Sequence, residues 1–298
     1  MYDTILVPTD GSDYALAAAD HAGSLASTVG ATVHLLAVAD VDDAAGPFSV
    51  GGVEQSYLDR LERDAEERLT APRATLPDGV PVETATERGR PAGTILEYVE
   101  AVDADLVVMG THGRTGVRRL LTGSVTESVL RRSSVPVLTV GHTASDTDAY
   151  DDILLPTDGS EAATAAVDHA VDVARTVDAA LHVVYIADVT LMTGGAGAGL
   201  PEGVVETMHD AGREAVDPVA TRAAEDGVET TVEVREGVPA PSLVEYAEDN
   251  DIDVVAMGTS GRTGLRRVLL GSTTERVIRH AARPVLAVTP DCDPTDGR

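Results

Sequence analysis

One glycine-rich segment occurs twice in this chain and limits what the chain can fold into. The first copy, residues 106–124, reads LVVMGTHGRTGVRRLLTGS, and the second copy starts at Val254. In each copy an apolar strand ends at a glycine, and a helical pattern starts after a later glycine-serine pair. Every landmark is displaced by 148 residues, as from Gly110 to Gly258. A constant displacement of this size indicates two domain-sized copies of one unit rather than a solenoid of short repeats.

The glycines and the helix start make this segment a candidate anion site. Glycine allows positive φ and close approach of a ligand to the main chain. The first N–H groups of a helix lack partners within the helix, and the helix dipole favours an anion there. Ser124 is the predicted N-cap of this helix, because serine is a preferred N-cap residue. The alternative is that the glycines only shape a tight turn and Ser124 is an ordinary cap.

Short apolar strands alternate with helical patterns in both copies, which is typical of a parallel sheet with helices on both faces. The predicted strands of the first copy are 4–8, 32–39, 80–87, 106–109 and 136–140. We predict an α/β fold with two tandem, doubly wound, open five-stranded sheets of strand order 3-2-1-4-5, a Rossmann-like architecture. The predicted domains are 1–143 and 150–290. This order places Asp10 opposite Gly110, in the crevice where such sheets bind ligands.

The composition excludes several classes of function. A formal charge of −28 disfavours nucleic acid and anionic membranes as partners, because both attract basic surfaces. All 22 basic residues are arginine, so there is no Walker A or Schiff-base lysine. The single cysteine, Cys292, cannot form an intrachain disulfide. No apolar run approaches the roughly 18 residues of a membrane span, and we predict a cytoplasmic protein.

The excess of acidic residues predicts adaptation to molar salt. At about 1 M salt the Debye length is only about 3 Å, so the mutual repulsion of the acidic groups is screened. Intrinsic disorder is the alternative explanation of a high net charge. An apolar content of 43% with clear periodicity argues against disorder.

The spaced glycines resemble the nucleotide-binding signature of the universal stress proteins. This signature has a glycine, two residues, a glycine, nine residues and a glycine-serine pair, here Gly110, Gly113, Gly123-Ser124 and again Gly258, Gly261, Gly271-Ser272. The first-strand motif of the family also occurs twice, as Pro8-Thr9-Asp10 and as Pro156-Thr157-Asp158. The resemblance covers about residues 3–141 and 151–289. It implies a fold like that of the adenine nucleotide alpha hydrolases and a place in the ATP-binding branch of the family.

The resemblance also implies which residues bind the nucleotide. The end of the second strand contacts adenine, the first-strand aspartate contacts the nucleoside, and the glycine loop and helix start hold the phosphates. The implied residues of the first copy are Pro8, Thr9, Asp10, Val38, Met109, Gly110, His112, Gly113, Arg114, Gly123, Ser124, Val125 and Thr126. Those of the second copy are Pro156, Thr157, Asp158, Ile186, Met257, Gly258, Gly261, Arg262, Gly271, Ser272, Thr273 and Thr274. The second copy departs from the first at Ser260 and Thr273, which replace His112 and Val125.

We expect a sensor or regulatory module of the stress response that binds ATP or a related adenine nucleotide with Mg²⁺ on the phosphates. An enzyme on the same fold, such as a slow ATPase or a nucleotidyl transferase, is one alternative, and an interaction scaffold with empty pockets is another. Little turnover is expected, because the loop from Gly110 to Gly123 has no Glu or Gln to orient a water molecule. Glu127 follows this loop and should point along its helix. His112 is then the best candidate for a catalytic group.

The fifth strand of each copy, residues 137–140 and 285–288, is apolar and lies at a predicted sheet edge. Unprotected edges pair readily. We therefore expect the two copies to form an internal pseudo-dimer, and further homodimerisation stays open.

Other conspicuous residues have ordinary explanations as well. The arginines at 114, 118, 119, 262, 266 and 267 either offset the acidic surroundings of the phosphates or form a solvated loop. The equivalent histidines His21 and His169, and likewise His34 and His182, are expected to be packing residues, since their spacing matches no metal site. The glycine-rich run 194–199 is best explained as a flexible connector.

Overall fold

A computed structural model describes residues 2–40, 55–113, 123–141, 150–188, 202–259 and 270–290. The chain divides into two compact units, Met1–Asp146 and Thr147–Arg298. The division lies between the bounds of the predicted domains, 1–143 and 150–290. The predicted contributions of Arg114, Gly261, Arg262 and the run 194–199 lie outside the described residues.

Unit 1 is a parallel sheet flanked by helices. Its strands are β1 (Thr4–Thr9), β2 (Thr32–Ala39), β3 (Val82–Arg88), β4 (Leu106–Gly110) and β5 (Val137–Val140). Its helices are α1 (Asp13–Val29), α2 (Gln55–Arg68), α3 (Thr70–Thr75), α4 (Pro91–Ala101) and α5 (Ser124–Arg132). The strands pair in the order β3-β2-β1-β4-β5, and every pair is parallel. The predicted order 3-2-1-4-5 is confirmed.

Unit 2 repeats this architecture. Its strands are β6 (Asp152–Pro156), β7 (Ala180–Ala187), β8 (Thr230–Glu236), β9 (Val254–Gly258) and β10 (Val285–Val288). Its helices are α6 (Glu161–Val177), α7 (Glu202–Glu225), α8 (Pro239–Asp249) and α9 (Ser272–His280). The strands pair in the equivalent parallel order, β8-β7-β6-β9-β10.

The inner strands are buried along nearly their whole length, as expected for a parallel sheet covered on both faces. Helix α1 packs small residues against this sheet, and its buried alanines are Ala15, Ala18, Ala19, Ala22 and Ala26. The Ser12 hydroxyl caps α1 by accepting a hydrogen bond from the Ala15 N–H (3.3 Å), and Gly30 ends it at φ 78°. Among the described residues, no helix is both long enough and apolar enough to cross a membrane.

Two local features of unit 1 differ from the prediction. The short helix α3 was not predicted, because its sequence, TAPRAT, has no apolar periodicity. The third strand begins at Val82 rather than at residue 80, because a turn precedes it. In this turn the Val80 N–H donates to the Pro77 carbonyl (3.4 Å), and Gly79 takes a φ of +93°.

Candidate functional site

The turn that follows β1 is held by its own side chains. Thr9 Oγ1 accepts a hydrogen bond from the Gly11 N–H (3.1 Å), and Asp10 Oδ1 accepts one from the Ser12 N–H (3.0 Å). Asp and Thr side chains that accept hydrogen bonds from the backbone N–H two residues later stabilise tight turns. Unit 2 makes the same bonds, from Gly159 to Thr157 and from Ser160 to Asp158. The turn therefore holds each aspartate at the carboxyl end of the central strand.

The glycine that ends β4 or β9 is required by helix packing. A Cβ atom on Gly110 would lie 2.7 Å from Tyr14 Cβ and 2.8 Å from the Tyr14 carbonyl carbon. In unit 2, a Cβ on Gly258 would lie 2.0 Å from the Ala162 carbonyl oxygen. Each of these glycines therefore lets the first turn of α1 or α6 touch the strand end. The resemblance assigns both glycines to the nucleotide, and this packing role is additional.

The loop after β4 meets the turn after β1 at Gly113. A Cβ atom on Gly113 would lie 2.6 Å from Asp10 Oδ2, which is closer than van der Waals contact allows. The structure thus brings together the two segments that the predicted strand order placed on one crevice. A glycine at this position leaves room for the aspartate.

The start of α5 differs from the prediction in one respect. Gly123, rather than Ser124, is the N-cap, and no side chain caps the helix. The Gly123 N–H donates to the Thr111 carbonyl (2.8 Å), and its own carbonyl accepts the first helical bond, from the Glu127 N–H (2.9 Å). The N–H groups of residues 124–126 therefore point out of the first turn, where an anion can accept from them. Helix α9 begins in the same way after Gly271.

The threonine in the first turn of α5 or α9 ties that helix to the preceding strand. Thr126 Oγ1 donates to the Gly110 carbonyl (2.9 Å), and Thr274 Oγ1 donates to the Gly258 carbonyl (2.7 Å). Both threonines are buried. Because each hydroxyl proton is used in this bond, a phosphate would accept from the backbone N–H of Thr126 or Thr274. The Ser124 side chain, by contrast, is exposed.

Unit 2 contains a cavity of about 270 Å³ at the carboxyl end of its sheet. Ten predicted residues line it, namely Pro156, Thr157, Asp158, Ile186, Met257, Gly258, Gly271, Ser272, Thr273 and Thr274. Five lining residues were not predicted, namely Ser160, Ala163, Val184, Pro239 and Leu243. Pro239 and Leu243 lie in the first turns of α8. The sequence could have indicated this helix as part of the site, because it follows an outer strand of the sheet.

The lining of this cavity changes in character from one end to the other. Val184, Ile186 and Leu243 present aliphatic side chains, whereas Ser272 and Thr273 present hydroxyls at an uncapped helix start. Asp158 adds a carboxylate that can accept hydrogen bonds from hydroxyl groups. The cavity therefore suits a ligand with an apolar ring at one end, hydroxyls in the middle and an anionic group at the other end.

The described site residues predicted for unit 1 lie at the same positions in its fold as those of unit 2. Val38 and Met109 are buried near the ends of β2 and β4, and Pro8 is buried near the end of β1. His112 lies on the loop after β4, where its Nδ1 is 3.1 Å from Thr111 Oγ1. The described residues predicted for unit 1 thus lie on β1, β2, β4, the loops that follow β1 and β4, and the start of α5.

The glutamates in the first turns of α5 and α9 are each paired with an arginine of the same helix. Glu127 Oε1 accepts a hydrogen bond from Arg131 Nη2 (2.5 Å) one turn later along α5, in the direction predicted for it. Glu275 makes the same pair with Arg279 in α9. Among the described residues, no group of three or more His, Cys, Asp or Glu side chains could hold a metal ion.

The histidines at equivalent positions of the two units do not line the unit 2 cavity. His21 and His169 are buried on α1 and α6, consistent with packing. His182 Nδ1 lies 2.8 Å from Tyr246 Oη, and its Nε2 lies 3.0 Å from Asp152 Oδ1. Burial raises the pKa of Tyr246 above its ordinary value. These contacts join β6, β7 and α8 inside unit 2.

These features define a doubly wound α/β architecture, present in two copies, with a candidate ligand site at the switch point of each sheet. The Universal stress protein family model matches residues 1–141 and 149–289, so the chain belongs to the universal stress protein family. The chain therefore consists of two tandem units of this family.

Individual relatives agree with this assignment. A universal stress protein of Methanocaldococcus jannaschii is 43% identical over 139 residues, which span 47% of this chain and 82% of the relative. One from Mycolicibacterium smegmatis is 29% identical over 301 residues and spans 96% of this chain and 97% of the relative. The crystal structure of a universal stress protein from Archaeoglobus fulgidus matches with a TM-score of 0.71 at 22% identity, covering 97% of this chain and 99% of that one. This last likeness shows the fold.

Proposed function

We propose that each unit binds an adenine nucleotide, ATP in the first instance, with the phosphates at the start of α5 or α9 and the base at the end of β2 or β7. The observation that carries the proposal is the uncapped helix start in the wall of the unit 2 cavity. Backbone N–H groups at such a helix start bind phosphate without any lysine. The resemblance of the glycine signature to that of the ATP-binding branch supports the same ligand.

The size of the cavity is consistent with the nucleoside part of this ligand. Small-molecule sites usually enclose roughly 300–1,000 Å³, and the unit 2 cavity of about 270 Å³ lies close to the lower end. The triphosphate would extend along the helix start toward solvent. Mg²⁺ would be bound by the phosphates of the nucleotide, since this ion usually keeps several waters and binds through substrate phosphates.

The proposed biological role is that of a cytoplasmic nucleotide-responsive regulator in the stress response. Pairing of the two units through β5 and β10 remains a prediction from the apolar character of these strands. An interaction scaffold with empty sites is the alternative role, and it predicts that natively purified protein carries no nucleotide. Mass spectrometry of small molecules released from such protein distinguishes the two roles.

The phosphate positions are tested by Ser124→Asp and Ser272→Asp. A carboxylate in the first turn of a helix stabilises that helix by roughly 0.3–1 kcal/mol, but it repels a bound phosphate. We expect each variant to lose one of two ATP sites in calorimetric titration, with affinity there reduced at least about 100-fold, or about 2.7 kcal/mol. The double variant should bind no ATP. Adenosine, which has no phosphate, should be affected much less.

Thr70→Asp is a matched control for these variants. It adds the same charge to another exposed helix start, that of α3, which the proposal does not assign to phosphate. Both ATP sites should survive in this control. Unchanged ATP binding by the Ser124→Asp, Ser272→Asp double variant would contradict the proposal, provided that the variant keeps its melting temperature.

We further expect the protein to hold ATP with very little hydrolysis. Hydrolysis requires a positioned water and a group that orients it, whereas Glu127 and Glu275 are each paired with an arginine of their own helix. Turnover should lie far below the roughly 1 s⁻¹ at the lower end of typical enzymes. Release of ³²P-phosphate measures it. A turnover of several per second that is lost in His112→Ser would make the protein an enzyme.

A further inference from the structure

Unit 1 contains an aromatic contact beside its candidate phosphate site. Tyr14, in the first turn of α1, and His112, on the loop after β4, have ring centroids 5.2 Å apart with planes tilted by 41°. Tyr14 is also held against the strand end, because its Cβ lies where a side chain on Gly110 would be. The contact therefore joins a helix that is packed on the sheet to the loop that carries the signature glycines.

The same loop places His112 beside the start of α5. The position of a Cβ on Gly123 lies 3.6 Å from His112 Cα. The Gly123 N–H donates to the carbonyl of the preceding residue, Thr111 (2.8 Å), and Thr111 Oγ1 also contacts His112 Nδ1 (3.1 Å). His112 thus contacts Tyr14 through its ring, and its Cα lies beside the helix start that we assign to phosphate.

Unit 2 lacks both members of this pair. Ala162 occupies the position equivalent to Tyr14, and Ser260 occupies the position equivalent to His112. The turn after the first strand, the buried threonine and the uncapped helix start are the same in both units. The two candidate sites therefore differ in a titratable side chain on an otherwise similar frame.

We propose that Tyr14 positions His112, which the resemblance already assigns to the nucleotide, against the phosphates of unit 1, so that the two units bind nucleotide with different pH dependence. This inference rests on the proposed function. Histidine changes its charge between about pH 5 and 8. A nearby phosphate favours the imidazolium, so phosphate binding and proton uptake support each other. ATP affinity at unit 1 is higher at pH 6 than at pH 8, and the serine of unit 2 contributes no such change.

The neighbouring groups are compatible with this charge change. The turn after β1 contributes the Asp10 carboxylate, whose Oδ2 lies 2.6 Å from the position of a Cβ on Gly113. Helix α1 contributes the Tyr14 phenol. Helix α5 contributes Glu127, which is paired with Arg131. Arg114, the next charged residue along the loop, lies outside the described residues.

The test compares the two units inside the same chain. The Ser272→Asp protein reports on unit 1, and the Ser124→Asp protein reports on unit 2. Affinity for Mg²⁺-ATP is measured at pH 6 and pH 8 in both proteins, so the titration of ATP itself affects both equally. From pH 6 to pH 8, we expect the ATP affinity of unit 1 to fall several-fold more than that of unit 2. The difference can reach about tenfold for each unit by which ATP binding changes the pKa of the histidine. Equal changes in the two proteins would overturn the inference.

Variants at the ring pair separate a phosphate contact from a structural role. In the Ser272→Asp background, His112→Gln should abolish the extra pH dependence, and His112→Arg should replace it by tight binding at both pH values. Tyr14→Phe should keep the pH dependence, whereas Tyr14→Ala should reduce it. Calorimetry in two buffers of different ionisation enthalpy should show proton uptake on ATP binding that is lost in His112→Gln. Unchanged proton uptake in His112→Gln would overturn the assignment.

The outcomes for this inference are separate from those for the proposed function. If neither unit of the wild-type protein binds ATP at either pH, the proposed function fails. If both units bind ATP with the same pH dependence, only the role of His112 and Tyr14 fails.

Discussion

Replacing Gly258 with alanine is expected to lower the free energy of unfolding of unit 2 by about 3 kcal/mol, the upper part of the range for overpacked sites. The added methyl group would lie 2.0 Å from the Ala162 carbonyl oxygen and 2.5 Å from its carbonyl carbon. These are backbone atoms, so α6 itself would have to move away from β9. For a unit of this size, the melting temperature should fall by roughly 6–12 °C. Differential scanning calorimetry measures the change.

Two other glycines provide the comparison. Gly110→Ala is expected to act in the same direction in unit 1, because its methyl group would lie 2.7–2.9 Å from three atoms of Tyr14. Gly93→Ala is the control, since Gly93 lies in α4 with no atom within 4 Å of the added Cβ. Alanine there should stabilise the protein by roughly 0.4–1 kcal/mol. A melting temperature for Gly258→Ala equal to that of the wild type would show that the first turn of α6 is not held against β9.

Raising KCl from 0.1 to 3 M is expected to raise the melting temperature by roughly 10 °C or more, since each kcal/mol recovered raises it by roughly 2–4 °C. The chain has 50 acidic residues and 22 arginines, which gives a net charge of −28. Several arginines are already paired with acids one helical turn away or on a neighbouring element, as in the Arg131–Glu127, Arg222–Asp226 and Arg88–Glu62 pairs. The remaining repulsion between carboxylates is reduced when salt shortens the screening length from about 10 Å at about 0.1 M to below about 3 Å at about 3 M.

A charge-reduced variant tests whether screening is the cause. Asp64, Glu66 and Glu67 are exposed on α2. Changing them to Asn, Gln and Gln should raise the melting temperature at 0.1 M KCl and leave it nearly unchanged at 3 M KCl. A wild-type melting temperature that stays flat over this range would refute the adaptation to molar salt.

The sequence alone determined the architecture of the chain. The constant displacement of the glycine landmarks defined two equivalent units, and the alternation of apolar strands with helices predicted the strand order of each sheet. That order was sufficient to place Asp10 beside the glycine loop, because parallel strands bring their carboxyl ends to one edge. Most residues that line the unit 2 cavity were implied by the resemblance of the spaced glycines and the first-strand motif to those of the universal stress proteins.

The tertiary structure decided how individual residues act within this frame. Gly123 rather than Ser124 caps α5, because its N–H is taken by Thr111, whose own N–H bonds to Val140 at the end of β5. No local sequence rule includes that long-range pairing. The hydroxyl of Thr126 donates to the Gly110 carbonyl because the start of α5 packs against the end of β4, which is also a long-range contact.

Contacts between distant segments were also beyond local patterns. The sequence shows glycines at the ends of β4 and β9, but only the packed structure shows that α1 and α6 occupy the space of the missing side chains. Tyr14 and His112 meet because α1 and the loop after β4 converge at one end of the sheet. The sequence alone therefore determined the repeated fold and the place of its sites. The tertiary structure decided which atoms face a ligand and which hold the frame, because those roles depend on contacts between segments far apart in the chain.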